Sequence, residues 1–264
     1  MSDAAGPRPV RDRVDAVVVT HGPDPDLPSC LAALQPQVRR IVVVANLPGS
    51  PEVAPTGGLL LVNDRPAGFA ANVNRGVART DAEYVVVANP DAVAAPDAVE
   101  RLVRFADSRP AGGVFGPELR YPDGTWQPSR RAFPTVLGTA VRRTPLRLLV
   151  DPVTHQRGHY LLDEQPTDPT PADWLLGGFL LLRRRAFDEL GGLDEAYRLY
   201  GEDIDLGYRA AKAGWERWLV PRATVVHRYH AVIDQRFLTR RTWWHLRGMA
   251  HFVRRHPERL RALR

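Results

Sequence analysis

The chain has 264 residues, 44% apolar and 25% charged, the proportions of an ordinary soluble globular protein. No apolar run reaches the roughly 20 residues that span a bilayer, the N-terminal stretch has no apolar h-region, and the single Cys30 excludes an internal disulfide and a multi-cysteine metal site. The profile is that of a cytoplasmic protein, and its net charge of +6 is lopsided: Arg228 to Arg264 holds ten Arg against Asp234 and Glu258, a net of +8, which leaves −2 elsewhere.

Residues 1–13 are polar and read as a disordered N-terminus. Residues 15–20 form a short β-branched run stopped by His21-Gly22-Pro23, which predicts a buried strand. Residues 27–34 set Leu27, Cys30, Leu31 and Leu34 at helical spacing. Residues 40–45 and 59–62 predict buried strands, 70–78 a helix, 84–88 a strand, and 96–106 a helix with Pro96 near its first turn. Near-continuous apolar strands alternating with helices imply an α/β fold with a mostly parallel central sheet flanked by helices. Such sheets bind ligands beyond the carboxyl ends of their strands, where Thr20, Asn46 and Asn89-Pro90-Asp91 fall.

The pattern then loosens. Tyr121-Pro122-Asp123-Gly124 predicts a hairpin turn, and 146–171, rich in Pro and Asp, a long loop of the lid or acceptor-binding kind. Residues 173–183 read as a strand around Gly177-Gly178, 185–190 as a short helix closed by Gly191-Gly192, and 203–213 as a helix ended by Gly214. Residues 218–220 and 224–226 read as short strands leading to His227.

Two sets of acids carry the chemistry. Glu202, Asp203 and Asp205 crowd three carboxylates into four residues, a costly arrangement unless a cation or substrate uses it. Acids in a first helical turn also complement the helix dipole, which accounts for one or two of them. Asp91 is a lone carboxylate just past an apolar strand, although Asn-Pro-Asp is also turn chemistry. Together they suggest an enzyme that holds a metal-bound diphosphate with one acid and removes a proton with another.

From residue 14 to about 229 the chain resembles the family 2 inverting glycosyltransferases of GT-A fold, and within them the rhamnosyltransferase-like group. The resemblance rests on ordered blocks: Val17-Val18-Val19-Thr20, Gly68-Phe69 with Asn74-Arg75-Gly76, Asn89-Pro90-Asp91, Asp173-Trp174 with Gly177-Gly178, Gly192-Leu193-Asp194-Glu195, Tyr200 to Leu206 with Arg209, and Pro221 to His227. It implies a GT-A domain over 14–230 and a basic amphipathic helical segment over 231–264.

The resemblance also implies roles. Asp91 is the metal-site aspartate, and His227 stands where the metal shell is completed or where a structural histidine sits; the cation is Mg²⁺ or Mn²⁺, bound by few protein ligands plus phosphates. Asp203 is the general base, with Glu202 and Asp205 as the alternatives. Asp205 is assigned to the acceptor side or to support through Arg209. Thr20, His21, Gly22, Asn46, Asp64, Arg75 and Asn89 border the nucleotide-sugar donor. Trp174, Gly177 and Gly178 mark the acceptor side, where a tryptophan face stacks on a sugar, or, for Trp174, the core. The family's usual aspartate before Asn46 is here Ala45, which leaves the donor base open.

The implied reaction is transfer of a sugar, L-rhamnose from dTDP-rhamnose, to a hydroxyl of a glycan or polyprenyl-diphosphate-linked acceptor in cell-wall or polysaccharide synthesis. In the tail, Trp243, Trp244, Leu246, Met249, Phe252 and Val253 alternate with Arg. That pattern suits a helix lying on the inner face of the plasma membrane, or one packed on the body or on a second subunit of a homodimer. No nucleic-acid motif accompanies it. Two rivals stay open: a sugar nucleotidyltransferase, disfavoured because residues 21–26 hold one Gly and no Lys, and a degenerate GT-A protein that binds glycan or polyanion.

Overall fold

The computed structural model describes residues 8–48, 55–133, 165–228 and 240–259. Strands β1 (Val14–Thr20), β2 (Arg40–Ala45), β3 (Leu59–Val62) and β4 (Tyr84–Ala88) are parallel and ordered β3-β2-β1-β4. Beyond β4 the sheet continues with three strands that come from later in the chain and one from directly after β4. In chain order they are β5 (Ala92–Ala94), β6 (Gly112–Arg120), β11 (Phe179–Arg183) and β12 (Glu216–His227), and in space they run β11-β6-β12-β5. Strand β11 is antiparallel to both its neighbours, whereas β6 and β12 pair in parallel.

The sheet is covered on both faces because its central strands are apolar on both. In β1, Val14, Ala16 and Val18 pack with α1 (Leu27–Leu34) and α3 (Ala98–Asp107), while Val17 and Val19 pack with α2 (Phe69–Val77), α4 (Arg184–Glu189) and α5 (Glu202–Lys212). Helix α2 lies close on β1: a Cβ on Gly76 would come within 2.4 Å of Val17.

Short strands complete the fold. The turn at Tyr121–Gly124 joins β6 to β7 (Trp126–Gln127), with Gly124 at φ +84°. Strand β9 (Thr170–Pro171) pairs with β12, and β8 (Arg130–Arg131) pairs with β10 (Trp174–Leu175) in a separate two-stranded sheet. The single strand expected over 173–183 is therefore broken at Gly177-Gly178: β10 and β11 belong to different sheets. Conversely, the two strands expected before His227 are one, with an irregularity between Val220 and Thr224. Of the loop expected at 146–171, only 165–171 lies among the described residues.

The C-terminal helix α6 (Arg240–Arg255) packs on the body. Phe252 joins Trp174, Tyr197 and Ile204 in a third small core, bordered by Phe133, Tyr208 and Met249. Among the described residues no helix is long and apolar enough to cross a membrane.

Candidate active site

The topology brings Asp91 to His227. Asp91 immediately precedes β5, and β5 pairs antiparallel with the end of β12, placing Ala92 opposite His227. The Asp91 carboxylate lies 3.4 Å from His227 Nε2, and Asn89 donates its side-chain amide to the same nitrogen at 3.3 Å. On the far side of the ring, Nδ1–H donates to Gln127 Oε1 at 2.9 Å, so Nε2 is the unprotonated nitrogen, flanked by Asn89 and Asp91. The ring is buried and lies flat against Gly178, where a Cβ would sit 2.9 Å from it. A carboxylate oxygen and an imidazole nitrogen are both of the donor types that bind divalent cations. Among the described residues no cluster of three or more His, Cys, Asp or Glu is set to enclose a metal.

The same glycine pair reaches the acid cluster. Gly177 N–H donates to Asp203 Oδ2 at 3.3 Å, and Ile204 N–H donates to Asp203 Oδ1 at 2.9 Å. Gly178 meanwhile hands its carbonyl to Asn89 N–H at 2.9 Å. One dipeptide thus touches Asp203 on one side and the Asn89–His227 group on the other. Ahead of α5 the chain passes through two left-handed residues, Tyr200 at φ +69° and Gly201 at φ +101°. Tyr200 is the sole non-glycine with positive φ among the described residues, a strained backbone of the kind that clusters at functional sites.

Burial sets the acids' protonation. It pushes Glu202 up to about 8, helped by the neighbouring Asp203 charge, and Glu202 Oε2 has no hydrogen-bond partner among the described residues. Burial likewise raises Asp203, opposed by the two amide hydrogen bonds and by the charge of Arg131. Under the Asn89 turn, Cys30 is buried and its thiol is pushed up to about 12, which makes it packing and not a nucleophile.

At the ends of β1 to β3 lies a polar network. Asn46 accepts from Asn63 Nδ2 at 2.9 Å and from Ala67 N–H at 2.8 Å, and its own amide lies 2.7 Å from His21 Nδ1. Asn63 also donates to Asn72, and Arg75 donates to Asn63. Thr20 closes on the Gly22 carbonyl at 2.9 Å, with Gly22 at φ +105°. The structure therefore gathers Thr20, His21, Gly22, Asn46 and Arg75 at the ends of β1 to β3, and leaves Asp64 exposed on the adjoining loop. Ala45 is buried in register with Thr20 and Val62.

Two assignments change. Trp174 is not a sugar-stacking face: it is buried in the third core, its indole N–H donates to Ala132 O at 2.8 Å, and Gly207 of α5 presses against it where a Cβ would lie 2.6 Å away. Asp205 is not an acceptor contact: it is 0% exposed, paired with Arg209 at 2.5 Å and with His256 of the α6 C-terminus at 2.9 Å. Its place on the inner side of the helix, two residues past Asp203, turns it away from the glycines. Sequence reasoning missed Gln127, Arg131 and His256. None belongs to a recognisable block, and only the fold brings them to the site.

The residues 15–191 match the model of the glycosyl transferase family 2. The chain belongs to this family. The N-acetylglucosaminyl-diphospho-decaprenol L-rhamnosyltransferase of Mycobacterium tuberculosis is 34% identical over 245 residues, covering 82% of this chain and 76% of that protein. Rhamnosyltransferase WbbL of Escherichia coli is 26% identical over 208 residues, 75% of this chain and 74% of its own. The fold is that of solved glycosyltransferases. GalNAc-T7 with UDP, GalNAc and Mn²⁺ superposes with a TM-score of 0.65 at 15% identity over 91% of this chain, which spans 47% of that one. Mannosyltransferase PcManGT of Pyrobaculum calidifontis with GDP-Man and Mn²⁺ gives 0.57 at 18% identity over 92% of this family 2 chain and 65% of its own. This is the GT-A architecture that the family resemblance implied.

Proposed function

We propose that this family 2 enzyme is a metal-dependent inverting transferase that moves L-rhamnose from dTDP-rhamnose to a hydroxyl of a polyprenyl-diphosphate-linked sugar in cell-wall synthesis. The single observation that carries it is the Gly177-Gly178 bridge, which contacts the Asp203 carboxylate on one side and the His227 ring beside Asp91 on the other. The sugar and carrier follow the names of the mycobacterial and enteric relatives.

In this reading Asp203 accepts the proton of the acceptor hydroxyl as that oxygen bonds to the anomeric carbon and the carbon–diphosphate bond breaks. One carboxylate acting on the face opposite the leaving group inverts the configuration. Gly177 N–H holds the base, and backbone amides together with the charge of Arg131 oppose the rise that burial causes. Glu202 stands behind it as a buried, protonated neighbour that adds little repulsion near neutral pH. Asp91 and His227 would hold Mn²⁺ or Mg²⁺, whose charge stabilises the departing diphosphate. Thr20, His21, Gly22, Asn46, Asp64, Arg75 and Asn89 would border the nucleotide, and Gly177 and Gly178, without side chains, leave room for the sugars to approach the backbone. This reading carries with it a cytoplasmic location, peripheral to the membrane that holds the acceptor.

Calorimetric titration of nucleotide sugars tests the donor and the metal together. dTDP-rhamnose should bind in the presence of Mn²⁺, and weaken sharply without it or in Asp91→Ala. Equal binding with and without metal would remove the metal from the account, and binding of a different nucleotide sugar would replace the donor.

A further inference from the structure

The inner and outer faces of α6 are chemically opposite. His245, Gly248, Phe252 and His256, spaced three or four residues apart, are buried against the body. Gly248 allows the closest approach, since a Cβ there would lie 2.7 Å from the Tyr200 carbonyl. On the other side Trp243, Leu246, Arg247, Ala250 and Arg254 share one exposed face. Trp243 is 59% and Leu246 44% exposed; among the described residues the only other exposed large apolar side chain is Val62, at 39%. Single exposed apolar residues need no explanation, but a tryptophan and a leucine one turn apart, with Arg247 stacked over the indole at 5.7 Å, form a patch.

We infer that this outward face of α6 docks on the headgroup region of an anionic lipid bilayer. Trp243 and Leu246 would enter the headgroup–acyl boundary, where an indole's amphipathic ring is at home, and Arg247 and Arg254 would meet lipid phosphates. Charge complementarity selects this partner: residues 240–259 hold six Arg against one acid, Glu258, a net of +5, so an anionic surface is drawn to α6. The proposal deepens the lipid-linked acceptor reading and rests on it for its purpose. Its test reads lipid binding alone, so the two fail separately.

The test is cosedimentation of the full chain with vesicles of phosphatidylcholine alone or mixed with phosphatidylglycerol, with sedimentation velocity run in parallel. The wild type should pellet with the mixed vesicles and stay in solution with neutral ones. Trp243→Ala with Leu246→Ala should weaken binding by about tenfold or more. Arg247→Gln and Arg254→Gln should each cost about fivefold and reduce the salt dependence. Both sets lie on an exposed face, and an unchanged thermal melt checks their fold. Absence of binding, equal binding to neutral vesicles, or unaltered binding by the Trp243/Leu246 variant overturns the proposal. So does a dimer in solution that the same variant dissociates, because the face would then belong to a second copy.

Discussion

Gly178 and His227 fit face to face so closely that a methyl group on the glycine would stand 2.9 Å from the ring, while a methyl on Gly177 would stand an ordinary 3.6 Å from Asp203. The pair therefore gives a matched comparison. Gly178→Ala must push the imidazole off its line to Asp91, and should cost about 10–100-fold in Mn²⁺-supported donor binding. Gly177→Ala should leave that binding close to wild type. Calorimetry on the two variants separates them, and similar losses in both would show that space at the dipeptide, not ring placement, governs the site.

His256 supplies a buried Asp205 with one of its partners at 2.9 Å, and so ties the end of α6 to the helix that bears Asp203. His256→Ala should lower unfolding free energy by about 1–3 kcal/mol in a urea titration. His256→Gln, which keeps an N–H near the same place, should recover part of it. A fully stable alanine variant would mean that Arg209 and Tyr197 suffice to satisfy Asp205.

Stability should also depend on Glu202. Its carboxyl rises from an ordinary 4.5 to about 8 on folding, so between those pH values the folded chain holds a proton that the unfolded chain has released. The contribution is therefore fully favourable below about pH 4.5, declines as pH rises, and levels off above about pH 8. Glu202→Gln removes this dependence. Melting temperatures of the two proteins should diverge in favour of the variant as pH rises through that window, and parallel curves would contradict the burial argument.

Arg131 pulls the Asp203 carboxyl down against the rise caused by burial. A base works only when deprotonated, so transfer should fail as pH falls through its pKa. Arg131→Ala should move that acid limb to higher pH, as read from the pH dependence of kcat/KM. An unmoved limb would assign it to another group.

Much of the sheet was legible because its strands are buried on both faces and punctuated by breakers: residues 40–45, 59–62 and 84–88 fold as read. The break at Gly177-Gly178 was not, since a continuous apolar run looks the same whether it serves one sheet or two. The helical spacing of the tail was equally plain, but spacing does not say which face packs. Trp174 and Asp205 show the same limit: a motif marks a position as constrained without separating contact with a ligand from contact with the core. Asn74 is a further example. It bridges both backbone groups of Leu193, at 2.8 and 2.9 Å, and so ties two of the family blocks together as scaffold. Gln127 and Arg131 lie on short strands with no periodic signal, and only strand pairing brings them in.

The central claim, that Asp203 is the base of a sugar transfer, is tested most directly by Asp203→Asn assayed with dTDP-rhamnose and a lipid-linked acceptor while donor affinity is measured on the same preparation. The account predicts donor binding close to wild type with turnover reduced by about 10²-fold or more. Near-normal turnover with intact donor binding would contradict it and move the base to another residue.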